Sequence, residues 1–323
     1  MTRGRMTGAR RRASDAAIVQ IVALLFALPH ATSAQARTIA ITFDDLPKVA
    51  AGPGADAPEY VTEGILTALR DRLVPAIGFV NEGQFADVRI GQARGRRLIE
   101  RWVEEGHLLG NHTYSHMWLY ESGATAFIAD VDRGEEVWRP LMEERGHTPV
   151  YFRHPRLNTG RTMEDRRTVE DHLERRGYVV APVSIDNNEY LFANAYARSV
   201  ERGDDSLASR IGDAYVAYME AIFAYYEEQS LRILGREPAH VLLLHANRLN
   251  ADRVGDVLDL LADRGYRFVS LPEAMEDEAY RLPDEYVGRQ GITWLHRWAI
   301  TANQPRSLFA GEPEVPSWVL EAR

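Results

Sequence analysis

Two adjacent carboxylates at the end of an apolar run are the first side chains whose types suggest chemistry. Asp44 and Asp45 follow the run from Ile39 to Phe43, and one residue separates them from Pro47. Because neighbouring like charges repel, such a pair favours a positively charged partner close by. A carboxylate that merely caps a turn gives the same local pattern, so the pair alone leaves both interpretations open.

A second polar cluster lies in GNHTYSHMW, where His112 and His116 are four residues apart. On a helical turn this spacing brings both imidazoles to one side, with Cβ atoms about 5–6 Å apart. The chain has no cysteine, so a metal would be held by His, Asp or Glu. Two imidazoles and one carboxylate leave an open position for water, as in catalytic zinc sites. The sequence therefore predicts a metal bound by His112, His116 and one carboxylate of the pair, with the other carboxylate nearby as a base.

Three later segments place reactive side chains after apolar runs in the same way. Arg153 follows PVYF, and its planar guanidinium can pair with a carboxylate. Asp186 and Glu189 follow GYVVAPVSI, and His245 follows HVLLL, where it can serve as an acid. A single histidine at a strand end is more often structural, but five such positions in one chain indicate a common site.

The elements that must position these side chains alternate between short apolar runs and helical patterns. Strands are predicted at 37–43, 75–81, 107–112, 149–153, 177–186, 240–245 and 266–271, and helices at 58–73, 93–106, 125–146, 163–176, 251–264 and from 272 onward. Pro140 is expected to kink the third helix. The alternation predicts parallel strands with crossover helices, and seven or eight units favour a (β/α) barrel, in which chemistry collects at the carboxyl ends of the strands.

Two segments fall outside this alternation. Residues 191–236 are predicted to be a helical insertion, and residues 281–323 a tail packed on the domain. The insertion carries a stripe of aromatic residues that is expected to pack on the domain rather than to form a sugar-stacking surface: Tyr215, Tyr218, Phe223, Tyr225 and Tyr226.

Residues 1–36 are predicted to be a signal peptide. Three consecutive arginines at 10–12 precede an apolar stretch from Ala16 to Leu28, and Ala34-Gln35-Ala36 supplies the cleavage pattern. The apolar stretch is shorter than the roughly 20 residues that a membrane span needs. Cleavage after Ala36 would export the mature protein to the periplasm or the exterior.

The charge balance restricts the partners. The chain of 323 residues has a formal net charge of −9, and without residues 1–36 it carries 33 basic and 46 acidic side chains. This acidic excess argues against binding to nucleic acid or to an anionic membrane surface. The absence of cysteine excludes disulfides and thiolate nucleophiles.

The segments TFDD, HTYSH, RHP, DNNEY and LLLH, in this order, resemble the five motifs of the polysaccharide deacetylases, which form carbohydrate esterase family 4 and are also called the NodB-homology domain. The resemblance covers residues 38 to 275 apart from the insertion; the first two motifs and the last are close matches. It implies a distorted (β/α) barrel over residues 37–280 and metal-dependent removal of acetyl groups from N- or O-acetylated sugars.

The resemblance also implies roles for the residues of the first three motifs. Asp45, His112 and His116 resemble the metal ligands, and Asp44 resembles the general base. Arg153 resembles the residue that keeps this base ionised. The family implies a divalent metal, for which Zn²⁺ is expected and Co²⁺ or Ni²⁺ are alternatives.

The resemblance implies further roles for residues of the last two motifs and of the pocket. His245 resembles the general acid, and Glu189 stands where the family usually has an Asp that orients this acid. Tyr190 takes the place of a Trp that lines the acetyl pocket, and Arg156 takes the place of an aromatic residue, with its backbone N–H expected to bind the oxyanion. Asp186 is expected to contact substrate. These departures concern the pocket rather than the metal or the acid–base pair.

Two functions of other classes stay open at this point. One is hydrolysis of a small non-sugar amide, with the insertion at 191–236 roofing the cleft. The other is a catalytically inactive, glycan-binding protein of the cell envelope. Phosphoryl transfer fits less well, because it requires acids separated by one residue and a downstream lysine, whereas Lys48 is the only lysine of the chain.

Overall fold

Seven short parallel strands form the centre of the protein, in a computed structural model that describes residue 1 and residues 37–49, 58–148 and 150–323. The strands are β1 (Thr38–Leu46), β2 (Ala76–Val80), β3 (Leu108–Asn111), β4 (Val150–Phe152), β5 (Tyr178–Val180), β6 (His240–His245) and β7 (Arg267–Val269). Their order is β5-β4-β3-β2-β1-β6, and β7 pairs with the first three residues of β1. The predicted signal peptide lies outside the described residues.

The segment after β5 links the two ends of this strand order. Ala181 donates its N–H to the carbonyl of Phe152 in β4 at 2.7 Å, and Ser184 and Ile185 donate theirs to the carbonyl of Val241 in β6 at 3.0 and 3.1 Å. The chain beyond β5 thus contacts β4 near one end of the strand order and β6 at the other end, and the sheet curls round instead of staying open. The predicted fold class, a distorted (β/α) barrel, is confirmed.

Twelve α-helices surround the strands in the described part of the chain. They are α1 (Pro58–Asp71), α2 (Gln92–Glu104), α3 (Leu119–Ser122), α4 (Ala124–Arg133), α5 (Trp138–Glu143), α6 (Met163–Arg175), α7 (Glu189–Glu201), α8 (Asp205–Leu234), α9 (Arg248–Asp263), α10 (Leu271–Ala274), α11 (Trp294–Thr301) and α12 (Ser317–Glu321). Short 3-10 helices lie at Glu82–Ala86, Pro155–Leu157, Glu278–Arg281 and Arg306–Phe309. Within the described ranges, none of the helices combines the length and the apolar character that a membrane span requires.

The strands are apolar on both faces because both faces are covered. In β1, Ile39, Ile41 and Phe43 belong to the large apolar cluster shared with the helices, whereas Ala40 belongs to a second cluster with Phe79 and residues of other strands. Successive side chains of a strand point to opposite faces. This explains why the strands appear in the sequence as continuous apolar runs rather than as alternating patterns.

The helix predicted over 125–146 is two helices, because the chain leaves the helical path at Gly134. The buried carboxylate of Glu82 accepts the backbone N–H groups of residues 136–138 at 3.1, 2.7 and 2.9 Å, and so satisfies the first turn of α5. Pro140 lies in that first turn, where a missing N–H costs little. The prediction of a kink at Pro140 was wrong: the break precedes the proline.

Helices α7 and α8 occupy the segment predicted to be an insertion. All five aromatic residues of the stripe in α8 are buried, and α8 packs against α7, α9 and α11. The expectation that this stripe packs on the domain, rather than forming an exposed sugar-stacking surface, is confirmed. Residues 281–323 contain α11 and α12, and Trp294 and Trp298 of this segment are buried.

Candidate metal centre and active site

The predicted site residues lie where the parallel strands end. Asp44 is near the end of β1, His112 follows β3 directly and Arg153 follows β4 directly. His245 is the last residue of β6 and is the direct register partner of Asp44. Asp186 follows Ile185, which bridges to β6. The carboxyl ends of parallel strands meet at one edge, and this brings together residues that are far apart in the sequence.

Asp45, His112 and His116 form a candidate metal site. Each offers one ligand atom, and the three atoms lie within 4.8 Å of one another. Oδ1 of Asp45 is 3.7 Å from Nε2 of His112 and 3.6 Å from Nε2 of His116. Two ligands of one tetrahedral Zn²⁺, each about 2.1 Å from the ion, are about 3.4 Å apart. The donor set therefore fits a small divalent cation in both chemistry and spacing.

The tautomer of His112 allows this residue to act as a metal ligand. Its Nδ1 lies 2.8 Å from the backbone carbonyl of Arg153, which can only accept, so Nδ1–H donates and Nε2 keeps its lone pair toward Asp45. Burial, followed by the charge of His116, lowers the pKa of His112 to about 3. A neutral imidazole with a fixed orientation is the form that binds metal.

The two histidines lie on a loop, and the prediction of a helical turn was wrong. Thr113 and His116 have φ values of +63° and +56°, in the left-handed region. The loop is held by the side chains of Asn111, which accepts the N–H of Thr113 at 2.7 Å, and of Asn81, which donates to the carbonyl of His112 at 2.5 Å. These turns bring the imidazole centroids to 5.0 Å, so the predicted proximity is found with a different backbone path.

Asp44 is a buried carboxylate paired with a buried guanidinium. Nη1 of Arg153 lies 3.2 Å from Oδ1 of Asp44, and Nη2 donates to the hydroxyl of Thr42 at 3.2 Å. The guanidinium carbon also lies 4.5 Å from the ring centroid of Phe79. Burial raises the pKa of Asp44 above its ordinary value, while the positive charge of Arg153 opposes this effect. Oδ2 of Asp44 is 3.7 Å from Nε2 of His112, so this carboxylate borders the candidate metal site.

His245 is paired with a fully buried carboxylate. Glu189 accepts the backbone N–H of His245 at 3.0 Å, lies 3.4 Å from its Nδ1, and also accepts the side-chain amide of Asn247. Burial by itself would lower the pKa of His245. The charges of Glu189, Asp45 and Asp44 outweigh burial and raise this pKa to about 10. The imidazole is therefore protonated at neutral pH and can donate a proton.

These side chains face one cavity of about 900 Å³. Tyr190, which is 51% exposed, lies at the wall of this cavity together with Arg156. Asp186 also lines the cavity, and burial raises the pKa of its carboxyl group. The residues lining the cavity include none from 191–236, a segment that the structure describes in full. The insertion therefore does not roof the cleft.

Several lining residues were missed by the sequence analysis. Trp118 follows His116 by two residues, so its closeness to the H-x-x-x-H motif could have pointed to it. Residues 289–291 also line the cavity, and they lie more than 40 residues from the nearest motif. No local pattern in the sequence marks this second group.

The barrel and the side chains at its strand ends together suit one kind of chemistry. A parallel-strand barrel with a candidate Asp–His–His metal centre, a guanidinium-paired carboxylate and a protonated histidine is equipped for metal-dependent hydrolysis. Residues 31–172 match the family model described as polysaccharide deacetylase. The match covers less than half of the chain and agrees with the resemblance to polysaccharide deacetylases that the motifs predicted.

The chain is also similar to individual deacetylases. A chitin deacetylase from Arthroderma benhamiae is 29% identical over 161 residues, which are 46% of this chain and 39% of the fungal protein. A chitin deacetylase from Colletotrichum lindemuthianum is 24% identical over 242 residues, which are 74% of this chain and 79% of that protein. Among solved structures, a peptidoglycan deacetylase from Bacillus subtilis has a TM-score of 0.47 and 20% identity, and the match covers 76% of this chain and 94% of the other.

Proposed function

We propose that this protein is a metal-dependent deacetylase that removes acetyl groups from an acetylated sugar polymer or oligomer. The observation that carries the proposal is one cavity lined by the candidate metal ligands together with Asp44 and His245. The family match and the similarity to two chitin deacetylases support an acetylated amino sugar as substrate. The proposed catalytic domain comprises residues 37–280 with the helical insertion at 191–236, and residues 281–323 form the tail.

Asp45, His112 and His116 would hold the divalent cation. Two nitrogen ligands and one carboxylate suit Zn²⁺, with Co²⁺ or Ni²⁺ as alternatives. When bound, such an ion lowers the pKa of a water molecule and polarises the acetyl carbonyl. The protein contributes by keeping His112 neutral and by orienting it through the carbonyl of Arg153.

Asp44 is the proposed general base. It borders the candidate ligands, at 3.7 Å from Nε2 of His112, and can take a proton from the attacking water. The positive charge of Arg153 opposes the effect of burial on the carboxylate, and its contact at 3.2 Å fixes the orientation of that carboxylate. Asp44 and Asp45 are adjacent in the sequence but have different partners, and this difference supports one role for each.

His245 is the proposed general acid. Its raised pKa keeps the imidazole protonated while the tetrahedral intermediate collapses, and the proton passes to the departing amine or alcohol. This step matters most for an amide, because an unprotonated amine is a poor leaving group. Glu189 holds His245 in the charged form and orients the ring through Nδ1.

The backbone N–H of Arg156 is the proposed oxyanion donor. Arg156 and Leu157 have φ values of +56° and +51°, which are unusual for residues other than glycine. Strained backbone of this kind is kept where surrounding structure over-determines it, often at functional sites. Tyr190 and Asp186 line the same cavity and are proposed to contact the sugar.

The proposal is tested by measuring acetate release from N-acetylglucosamine oligomers and from an acetylated xylan, with added Zn²⁺ and with a chelator. We expect release that requires the metal and is nearly abolished in Asp44→Asn, a variant that keeps the shape of the side chain. No release from either substrate in the presence of Zn²⁺, Co²⁺ or Ni²⁺ would refute the proposal.

Export to the periplasm or the exterior belongs to the same proposal, because acetylated polymers of the cell wall lie there. The predicted cleavage after Ala36 is checked by the mass of the protein recovered from the exported fraction, which should begin at Arg37. Recovery of the uncleaved chain from the cytoplasm alone would contradict export.

A further inference from the structure

Two arginines flank one tryptophan in the wall of the cavity. The guanidinium carbons of Arg156 and Arg289 lie 4.9 and 5.7 Å from the ring centroid of Trp118, and all three residues line the cavity. Stacking on an aromatic ring holds a guanidinium in place while its N–H edge stays free to bind another group.

Among the residues that the structure describes, neither arginine has a carboxylate partner. Across residues 37–49, 58–148 and 150–323, no carboxylate forms an ion pair or a hydrogen bond with the side chain of Arg156 or Arg289. The buried Arg153, by contrast, is neutralised by Asp44. Two positive charges without a carboxylate partner in the described ranges therefore lie at the wall of one cavity, in a chain of net charge −9.

Backbone contacts hold both arginines in place. The side-chain amide of Asn158 donates to the carbonyls of Gly288 and Arg289 at 2.8 and 3.0 Å. A Cβ added at Gly291 would lie 1.8 Å from the carbonyl oxygen of Arg156, so the two segments touch through their backbones. The pair of guanidinium groups is thus presented by two chain segments that are fastened to each other.

We propose that Arg156 and Arg289 form a subsite for a carboxylate carried by the acetylated glycan. The inference rests on the proposed function and deepens it by naming the substrate class, an acidic acetylated glycan. The planar forks of two guanidinium groups match a carboxylate in geometry and charge. The carboxylate belongs either to a uronic acid ring or to an acidic ether substituent on the sugar, and both present the same group to the arginines.

The other residues of the cavity restrict where a carboxylate of the glycan can lie. Asp44, Asp45 and Asp186 line the same cavity and would repel a carboxylate placed beside them. An acidic substituent is therefore accepted at the arginine wall and rejected near the carboxylates. This contrast would set the register in which the glycan presents its acetyl group.

The test compares kcat/KM for two acetylated oligosaccharides of equal length, one carrying a carboxylate and one in which the carboxyl has been reduced to an alcohol. Separate experiments use a uronic acid oligomer and an oligomer with an acidic ether, which distinguishes the two sources. We expect about a tenfold preference for at least one acidic form over its reduced analogue, weakened in 0.5 M salt. Arg289→Gln should remove most of the preference, and Arg289→Glu should reverse it.

Arg161→Gln is the matched control. Its guanidinium carbon lies 4.9 Å from the ring centroid of Tyr120, in the same kind of stacking, but Arg161 does not line the cavity. This variant should keep the wild-type preference.

Calorimetric titration with the deacetylated acidic oligomers gives a second readout that needs no turnover. Tighter binding of an acidic form than of its reduced analogue, lost in Arg289→Gln, would support the subsite. Equal kcat/KM and equal binding for the acidic and reduced forms would overturn it, while acetate release from both forms would leave the proposed deacetylase function standing.

Discussion

Replacing Glu189 by glutamine should move the alkaline limb of the activity profile to lower pH by about 3 units. The buried carboxylate of Glu189 lies 3.4 Å from Nδ1 of His245. At an effective dielectric constant of about 20, unit charges at this distance interact by about 5 kcal/mol, or about 3.5 pKa units. The charge of Glu189 is the largest of the effects that raise the pKa of His245, so this pKa should fall by about 3 units in the variant.

The direction of the effect follows from the role of the imidazole. As the proposed general acid, His245 would act in its protonated form, so activity should persist below its pKa and be lost as the pH rises through that value. The assay is kcat/KM for acetate release between pH 6 and 11 with saturating metal, supported by an NMR titration of the His245 ring without substrate. Glu189→Asp is the control, because it keeps the charge and should keep the limb close to its wild-type position. An unchanged limb in Glu189→Gln would refute the reasoning.

Three further predictions test the ligands, the fold and the loop contacts. His112→Ala should lose stoichiometric Zn²⁺ binding, whereas His245→Ala should keep Zn²⁺ binding and lose about 10²- to 10⁴-fold in turnover. Calorimetry measures the binding, and acetate release measures the turnover. Full Zn²⁺ binding by His112→Ala would contradict the assignment of His112 as a metal ligand. Glu82→Ala should lower the free energy of unfolding by about 2–4 kcal/mol in urea denaturation, because three backbone N–H groups at the start of α5 lose their acceptor; a loss below about 0.5 kcal/mol would mean that water replaces the carboxylate. Gly291→Ala should lower Tm and turnover, because its Cβ would meet the backbone oxygen of Arg156; an unchanged Tm and rate would show that the two segments can separate freely.

Much of the site could be predicted from the sequence because its residues directly follow apolar runs. The strand predicted at 240–245 is found at these positions, and its register partner β1 brings Asp44 opposite His245. Parallel pairing places the carboxyl ends of the strands at one edge, so local patterns were enough to gather side chains from distant segments.

Other features depended on contacts that no local pattern records. The spacing of His112 and His116 suggested a helical turn, but two left-handed residues form a loop instead. From the residues alone, the proposed roles of Asp44 and Asp45 could not be separated, because the contact that distinguishes the two carboxylates comes from Arg153, more than 100 residues away. The cavity wall at 289–291 likewise arises from packing between segments that lie far apart in the chain.

Asp45, His112 and His116 are proposed to share one divalent ion, and the rest of the proposed mechanism depends on this site. This proposal is tested most directly by a crystal structure of the zinc-loaded protein with anomalous diffraction data collected at the zinc edge. We expect one strong peak about 2.0–2.2 Å from an oxygen of Asp45 and from Nε2 of both histidines. A zinc peak elsewhere, with these three side chains bound to no ion, would contradict it.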